Sequence, residues 1–293
     1  MRPHFSEAVA FARGTQTPSS FRTEADELQF GYDASFRAHA GYQLGGSGGI
    51  RFAYWNLQGD ATVAGSVGMP GEFIVDPFGN VVGSVAIIDP SDARFGAVLT
   101  GGDEIHTRAS VETNIYDLEF TREICARSRC WEAGLSFGAR IADIEQFYGS
   151  VVTASNGAVV GQGEFSADFI GAGPRLGVYG RQYFGCNRRF SLFASCHGAL
   201  LLGQYDVRAD TMPVPGFQTG QAESLTRSVP VLETELGAAW RFSESVHVSV
   251  GWLFQAWFDM GASGGRFGGF FAGADDANVM SFDGMFLRTE FSF

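Results

Sequence analysis

The stretch Val246–Phe258, VHVSVGWLFQAWF, places an apolar residue at every second position. Successive side chains of a strand point to opposite faces of the pleat, so Val246, Val248, Val250, Trp252, Phe254, Ala256 and Phe258 share one side. His247, Ser249, Gly251 and Gln255 lie on the other, with Leu253 and Trp257 as apolar intruders. The run is thirteen residues long, whereas a soluble strand is usually about 5–6. An apolar face of this kind lines a core or meets lipid, and the stretch alone leaves both open.

The pattern recurs along the chain. Ten segments show strand periodicity, at 4–13, 27–43, 48–58, 106–121, 131–148, 163–184, 189–206, 228–242, 245–259 and 281–293. In 28–44, Leu28, Phe30, Tyr32, Ala34, Phe36, Ala38, Ala40, Tyr42 and Leu44 alternate with Gln29, Gly31, Asp33, Ser35, Arg37, His39, Gly41 and Gln43. Strands of a parallel α/β sheet are apolar on both faces, so one-sided alternation argues against that class. The connectors 14–26, 59–105, 149–162, 207–227 and 260–280 are long, and those between them, such as 44–47, 185–188 and 243–244, are mostly short. A meander with its long loops at one end and tight turns at the other produces this order, which is the architecture of an up-and-down antiparallel transmembrane β-barrel. The expected fold is all-β, one domain over 1–293, with about ten strands and a long acidic external loop at 59–105.

Alternation by itself does not say which face points inward. Charges of both signs recur on the polar face, and a lumen can pair or hydrate them. Aromatics gather near segment ends, at Phe30, Tyr42, Trp131, Phe147, Phe184, Tyr205, Trp240, Phe258 and Phe291, where rings would sit at the headgroup level. The apolar face is therefore assigned to lipid. The candidate pore-lining residues are Asp33, Arg37, Arg51, Arg140, Asp168, Arg175, Arg181, Glu233, Glu235, Trp257, Arg288 and Glu290.

Composition excludes other classes. Forty Gly, twenty-eight Phe and 18% charged residues suit many strands and turns, and 45% hydrophobic residues exclude a disordered chain. A net charge of −12 argues against nucleic acid as a partner. All twenty basic residues are Arg, first a matter of genomic bias. No apolar run reaches the length of a membrane helix. The opening MRPHFSEAVAFARG lacks the architecture of a signal peptide, so either the protein is not secreted or its true start lies upstream. Cys125, Cys130, Cys186 and Cys196 lack paired zinc spacing; Cys125 and Cys130 could close a small disulfide loop at a tight turn.

The segments YDLEFTRE (116–123), WEAGLSFGARIADIEQ (131–146), GAGPRLGVYGRQYF (171–184), SLFASCHGALLLG (191–203) and GWLFQAWFDM (251–260) resemble the pore-forming outer-membrane protein family typified by the Legionella major outer membrane protein. The resemblance implies a β-barrel in a bacterial, Gram-negative-type outer membrane, with pore formation as its role. Phe293 is similar to the terminal aromatic signature that such barrels present to the β-barrel assembly machinery. No functional residue is carried over from the family.

Other features have plainer readings. His39, His197 and His247 fall on polar faces without metal-ligand spacing, and lumenal hydrogen bonding accounts for them. His106 with Asp103 and Glu104 imitates a hydrolase cluster but reads first as a charged strand start. Gly45–Gly49 is a turn, since no Lys follows it. At GAGP (171–174) the apolar phase changes from Phe165, Ala167 and Phe169 to Leu176 and Val178, which predicts a β-bulge at Pro174. Loop 59–105 carries seven acids against Arg94, and Phe73–Val75 with Val81 and Val82 flank a hairpin signal inside it.

The expected function is passive diffusion of small solutes through a narrow porin-like channel, cationic or neutral ones given the acidic mouth. The alternative is a non-conducting structural or surface-interaction barrel, and an outer-membrane hydrolase comes third. No enzyme activity, cofactor or metal is expected; the partners are outer-membrane lipid, the assembly machinery and small solutes.

Overall fold

The computed structural model describes residues 1–5, 9–17, 20–27, 29–44, 48–66, 84–87, 96–99, 103–124, 131–185, 189–214, 217–243, 245–260 and 279–291. Its strands are β1 (Arg2–Phe5), β2 (Val9–Thr17), β3 (Ser20–Glu27), β4 (Ser35–Gln43), β5 (Gly48–Ser66), β6 (Ser84–Ile87), β7 (Gly96–Leu99), β8 (Glu104–Ile124), β9 (Trp131–Thr153), β10 (Val159–Phe184), β11 (Phe190–Val214), β12 (Phe217–Arg241), β13 (Val246–Phe258) and β14 (Val279–Phe291). Ten of them form one antiparallel sheet in the order β1-β14-β13-β12-β11-β10-β9-β8-β5-β4. Apart from the ends this is chain order, as expected of an up-and-down meander. The sheet curls into a barrel without a continuous ladder between its edges among the described residues. The edges approach where Met1 N donates to Asp33 O and Asp33 N donates to Met1 O at 2.8 Å.

Segment 4–13 was expected as one barrel strand and is instead divided. Arg2–Phe5 stays in the barrel beside β14, while β2 belongs to a second, four-stranded sheet, β3-β2-β6-β7. That sheet joins a hairpin from the first connection to one from the acidic insertion. The hairpin signal at 73–82 lies outside the described residues; the described hairpin pairs Ser84–Ile87 with Gly96–Leu99.

The strand ends that bracket the tight turns fall near where expected, but connectors 149–162 and 207–227 are mostly strand. β9 and β10 continue to a turn at Asn156–Gly157, where Gly157 has φ 83° and Asn156 Oδ1 accepts from Ala158 N at 2.9 Å. The ladder persists because alternation persists, with its colours exchanged. In β10, Phe165, Ala167 and Phe169 point inward while Glu164 and Asp168 are exposed. Nearer the tight turns Arg175 points inward and Leu176 and Val178 outward.

This exchange corrects the expected bulge. Gly171–Arg175 pair with Ala142–Gly138 without a register shift, and the β10–β11 register is the same on both sides of Pro174. What changes at GAGP is the character of each side of the wall. The outer face turns from polar to apolar, and the interior turns from apolar packing to charge. A one-residue slip would have moved every side chain to the other face.

On the outer face the change follows the pairing. Tyr54, Tyr116, Ile141, Ala172 and Leu202 lie on one row across β5, β8, β9, β10 and β11. The next row toward the loop end carries Asn56, Asn114, Asp143 and Gln204, with Ile170 of β10 as its one apolar member. On the tight-turn side of this boundary the exposed residues are Leu118, Phe137, Leu176, Leu200, Leu236, Val250 and Leu287. Trp131, Phe184, Trp240, Phe242 and Phe291 edge the band at that end, and Phe190 bridges the rings of Phe184 and Trp240 with centroids 5.7 and 6.3 Å away. Phe30 and Tyr205, expected in this belt, are buried inside instead, at 5% and 3% exposure. Phe30 leaves the alternation because the chain is extended strand only from Ser35 onward.

Candidate functional site: the barrel interior

The interior is built from alternate residues that small neighbours allow to be large. Arg140 on β9 lies directly across from Asp117 on β8 and beside Gly173 on β10. Its Nε and Nη2 donate to the two Asp117 oxygens at 2.6 and 2.8 Å, a bidentate fork. Arg51 on β5 faces Glu119 on β8 and donates from Nε at 3.0 Å. Arg175 on β10 contacts Glu119 and donates to Glu233 Oε1 at 3.1 Å.

Glu233 on β12 gathers these groups. Its Oε1 accepts from Arg37 at 2.7 Å as well as from Arg175, and its Oε2 accepts from Arg140 at 2.6 Å and Gln255 at 2.8 Å. Glu235, two residues on, accepts from Arg37 at 2.6 Å and Arg288 at 2.8 Å. Asp117, Glu119, Arg140, Arg175 and Glu233 are at most 3% exposed. Five guanidinium groups, of Arg37, Arg51, Arg140, Arg175 and Arg288, thus meet four carboxylates, of Asp117, Glu119, Glu233 and Glu235. An ion placed away from water persists only when partners fill its hydrogen-bonding capacity, and Glu233 with four donors meets that condition.

Toward the loop end the charged layer gives way to an apolar plug. Trp257, Phe169, Phe282, Leu57, Ile105 and Ile115 are almost wholly buried in one cluster inside the barrel. Trp257 joins the two regions: its Nε1 donates to Gln255 Oε1 at 2.9 Å, and the Arg140 guanidinium stands 6.0 Å from its ring centre. After β13 the chain turns inward. Asp259 adopts φ 59°, Met260 is fully buried, and its carbonyl accepts from Gln146 Nε2 at 3.1 Å.

Toward the tight turns the lining mixes small and polar residues, Gly134, Ser136, Gly177, Ser191 and Ser249, with the rings of Tyr179, Phe193 and Phe286. His197 lies over Gly177, where any Cβ would collide with its ring. Neither ring nitrogen of His197, nor the hydroxyl of Ser136 or Ser249, has a protein hydrogen-bond partner among the described residues.

The structure brings Arg37, Arg51, Arg140, Arg175, Glu233, Glu235, Trp257 and Arg288 together. Asp168 does not join them: it is exposed on the outer face, because the lumenal residues of β10 are the odd-numbered ones. Asp33 sits at the meeting of the sheet edges, Arg181 lies 5.8 Å over the Phe193 ring, and Glu290 is 4.0 Å from His247 near the tight turns. His106 is exposed beside Glu104 at 3.5 Å, whereas Asp103 is buried. Among the described residues no group of His, Cys, Asp or Glu is arranged to hold a metal. Cys125 and Cys130 lie outside the described residues, and Cys196 is a free, exposed thiol on the outer face. Sequence reasoning missed Asp117, Glu119 and Gln255, although the first two alternate with Tyr116, Leu118 and Phe120 in the way the lumenal set requires.

Outside the tight turns, then, the wall carries a wide apolar band, and its interior carries buried ions. Among the described residues no helix is long and apolar enough to cross a membrane, and strands of this length and polarity are the other structure that can. The class is an outer-membrane β-barrel. The family model described as "Legionella pneumophila major outer membrane protein precursor" matches residues 1–293, and the chain belongs to that family. No curated protein matches it.

Proposed function

We propose that the protein is a narrow porin-like channel whose constriction is the Glu233 layer, shut in the conformation seen and passing small solutes only when that layer parts. The observation that supports it is the cross-section at Glu233, where Arg37, Arg140, Arg175 and Gln255 converge on one carboxylate that is 1% exposed. A barrel of eight strands is just filled by side chains, whereas sixteen to eighteen leave an open channel, and ten lies near the filled end. The polar lining of Ser136, His197 and Ser249 on the tight-turn side suits a hydrated approach to the layer.

A second reading is favoured by the plug. Trp257, Phe169 and Phe282 close the loop half with apolar contact, and parting the ions alone would not displace them. On that reading the barrel never conducts and serves as a membrane anchor for its outer part. Planar-bilayer recording separates the two. Wild-type protein is expected to stay silent or to open rarely, and Glu233→Ala combined with Trp257→Ala to give discrete steps. Steady wild-type currents would show that the layer is no constriction. Silence of the folded double variant would leave the anchor.

A further inference from the structure

Among the described residues the barrel wall lacks half of one strand on its tight-turn side. β14 pairs with β13 from Val279 to Phe291, but β1 covers its other edge only from Met280 to Asp283. β4 carries β5 along Ser35–Gln43 and, among the described residues, no strand on its other side. These two open edges face one another, since Arg37 of β4 and Arg288 of β14 both reach Glu235. Exposure agrees: Met285 and Leu287 are 70% and 76% exposed, and His39, Gly41 and Gln43, on the lumenal side of β4, are exposed where lumenal residues of β8–β10 are mostly buried. Hydrocarbon offers no hydrogen bonds to the N–H and C=O groups of such edges.

Direction and register identify what fits. From β4 to β14 the ladder has nine strands of alternating direction, so β4 and β14 run parallel. Only a strand antiparallel to both completes the meander, and β1 has that direction. Met1 continues the β1 register to stand against Gly284, and on its other side it exchanges both backbone hydrogen bonds with Asp33. It is already seated between the two edges, at the mouth of the gap.

We propose that an extended segment immediately N-terminal to Met1 fills this gap as the first half of the first barrel strand. It must cover the seven residues Met285–Phe291 on one side and the nine of β4 on the other. Its outward side chains lie between Phe36, Ala38 and Ala40 and Met285 and Leu287, so they are apolar; its inward ones lie near Arg37 and Arg288, so they are polar. The inference stands apart from whether the lumen conducts.

The test begins with the mature protein, purified from outer membranes of cells carrying the gene with its native upstream DNA. Intact mass and N-terminal sequencing are expected to show at least seven residues before Met1, alternating apolar and polar; a chain starting at Met1 overturns the proposal. In hydrogen exchange on folded protein, amides of 285–291 and 35–43 should exchange at least ten-fold faster in the 293-residue chain than in the longer one. Equal protection overturns it. Finally, Phe36→Cys with Leu287→Cys, in a background without native cysteines, should form no disulfide in the longer chain. An interposed strand keeps the two Cα atoms about 9.6 Å apart, beyond disulfide reach. A disulfide there would mean that β4 closes directly on β14, or that the gap is unfilled.

Discussion

Trp257 and Gln255 lie two residues apart on one strand, point to the same side, and are joined by an indole N–H donated to the amide oxygen at 2.9 Å. The same amide donates its own N–H to Glu233 at 2.8 Å. Gln255 is therefore the only described side chain hydrogen-bonded to both the apolar plug and the ion layer. Gln255→Leu keeps the bulk but leaves the Trp257 N–H buried without a partner and removes one of four donors from Glu233. We expect a loss of about 1–3 kcal/mol, the cost of leaving buried polar groups unsatisfied. Urea unfolding from lipid vesicles measures it, and a change within ~0.3 kcal/mol would mean water replaces the amide at no cost.

Glu233 carries more. Glu233→Gln keeps the shape and removes the charge that Arg37, Arg140 and Arg175 share. Breaking a buried pair on one side costs about 3–5 kcal/mol because the other charge stays buried. Asp117→Asn should cost less, since Arg140 would keep Glu233. Equal losses for the two variants would show that the layer has no hub.

Much of this was legible in the chain. Alternation in VHVSVGWLFQAWF assigned its faces: Val250 and Trp252 are exposed outward, and Ser249, Leu253, Gln255 and Trp257 are buried inward. The order of the long strands followed from spacing, and seven of the nine charges of the ion layer, all but Asp117 and Glu119, are picked out by lying on the polar face of a strand whose other face is apolar. What could not be read was position along the strand. Asp168 and Arg140 are both charges in alternating strands, but the wall passes from lipid to water between them, and the rule that polar means inward reverses there. The same reversal imitated a bulge at GAGP. The convergence on Glu233 depends on register between strands that are distant in sequence, which periodicity within one strand does not encode.

The face assignment yields a depth-dependent prediction. Val250→Arg puts a guanidinium on the apolar band and should cost about 2–4 kcal/mol near the midplane. Gln204→Arg, on the outer face beyond the boundary row, should stay within ~0.5 kcal/mol. Ser249→Arg is not the mild change that a roomy lumen would allow, because Ser249 is 3% exposed and pairs across from Arg288. Refolding yield and vesicle urea titrations rank the three. Equal tolerance of Val250→Arg and Gln204→Arg would contradict the boundary.

Beyond that boundary the outer face holds a row of like charges. Glu112, Glu145, Asp168 and Asp206 stand directly opposite one another on β8, β9, β10 and β11. Partial burial first, and then neighbouring carboxylates, push Glu145 and Asp168 above the ordinary carboxylate range. A carboxyl whose folded pKa is raised holds its proton longer folded than unfolded, so the folded state loses stability as pH rises from the ordinary value through the raised one. Like charges directly opposite in a sheet destabilise it. Asp168→Asn breaks the row in the middle, relieving its contacts with Glu145 and Asp206 together. It should therefore stabilise the barrel at pH 7, with the advantage over wild type shrinking as pH falls through the raised values and largely gone below about 4, the ordinary carboxylate value. Parallel urea titrations at pH 7 and pH 3.5 check both the sign and its pH dependence; an Asp168→Asn variant that is less stable than wild type at pH 7 would mean the row is held by bound counter-charge and not tolerated in spite of repulsion.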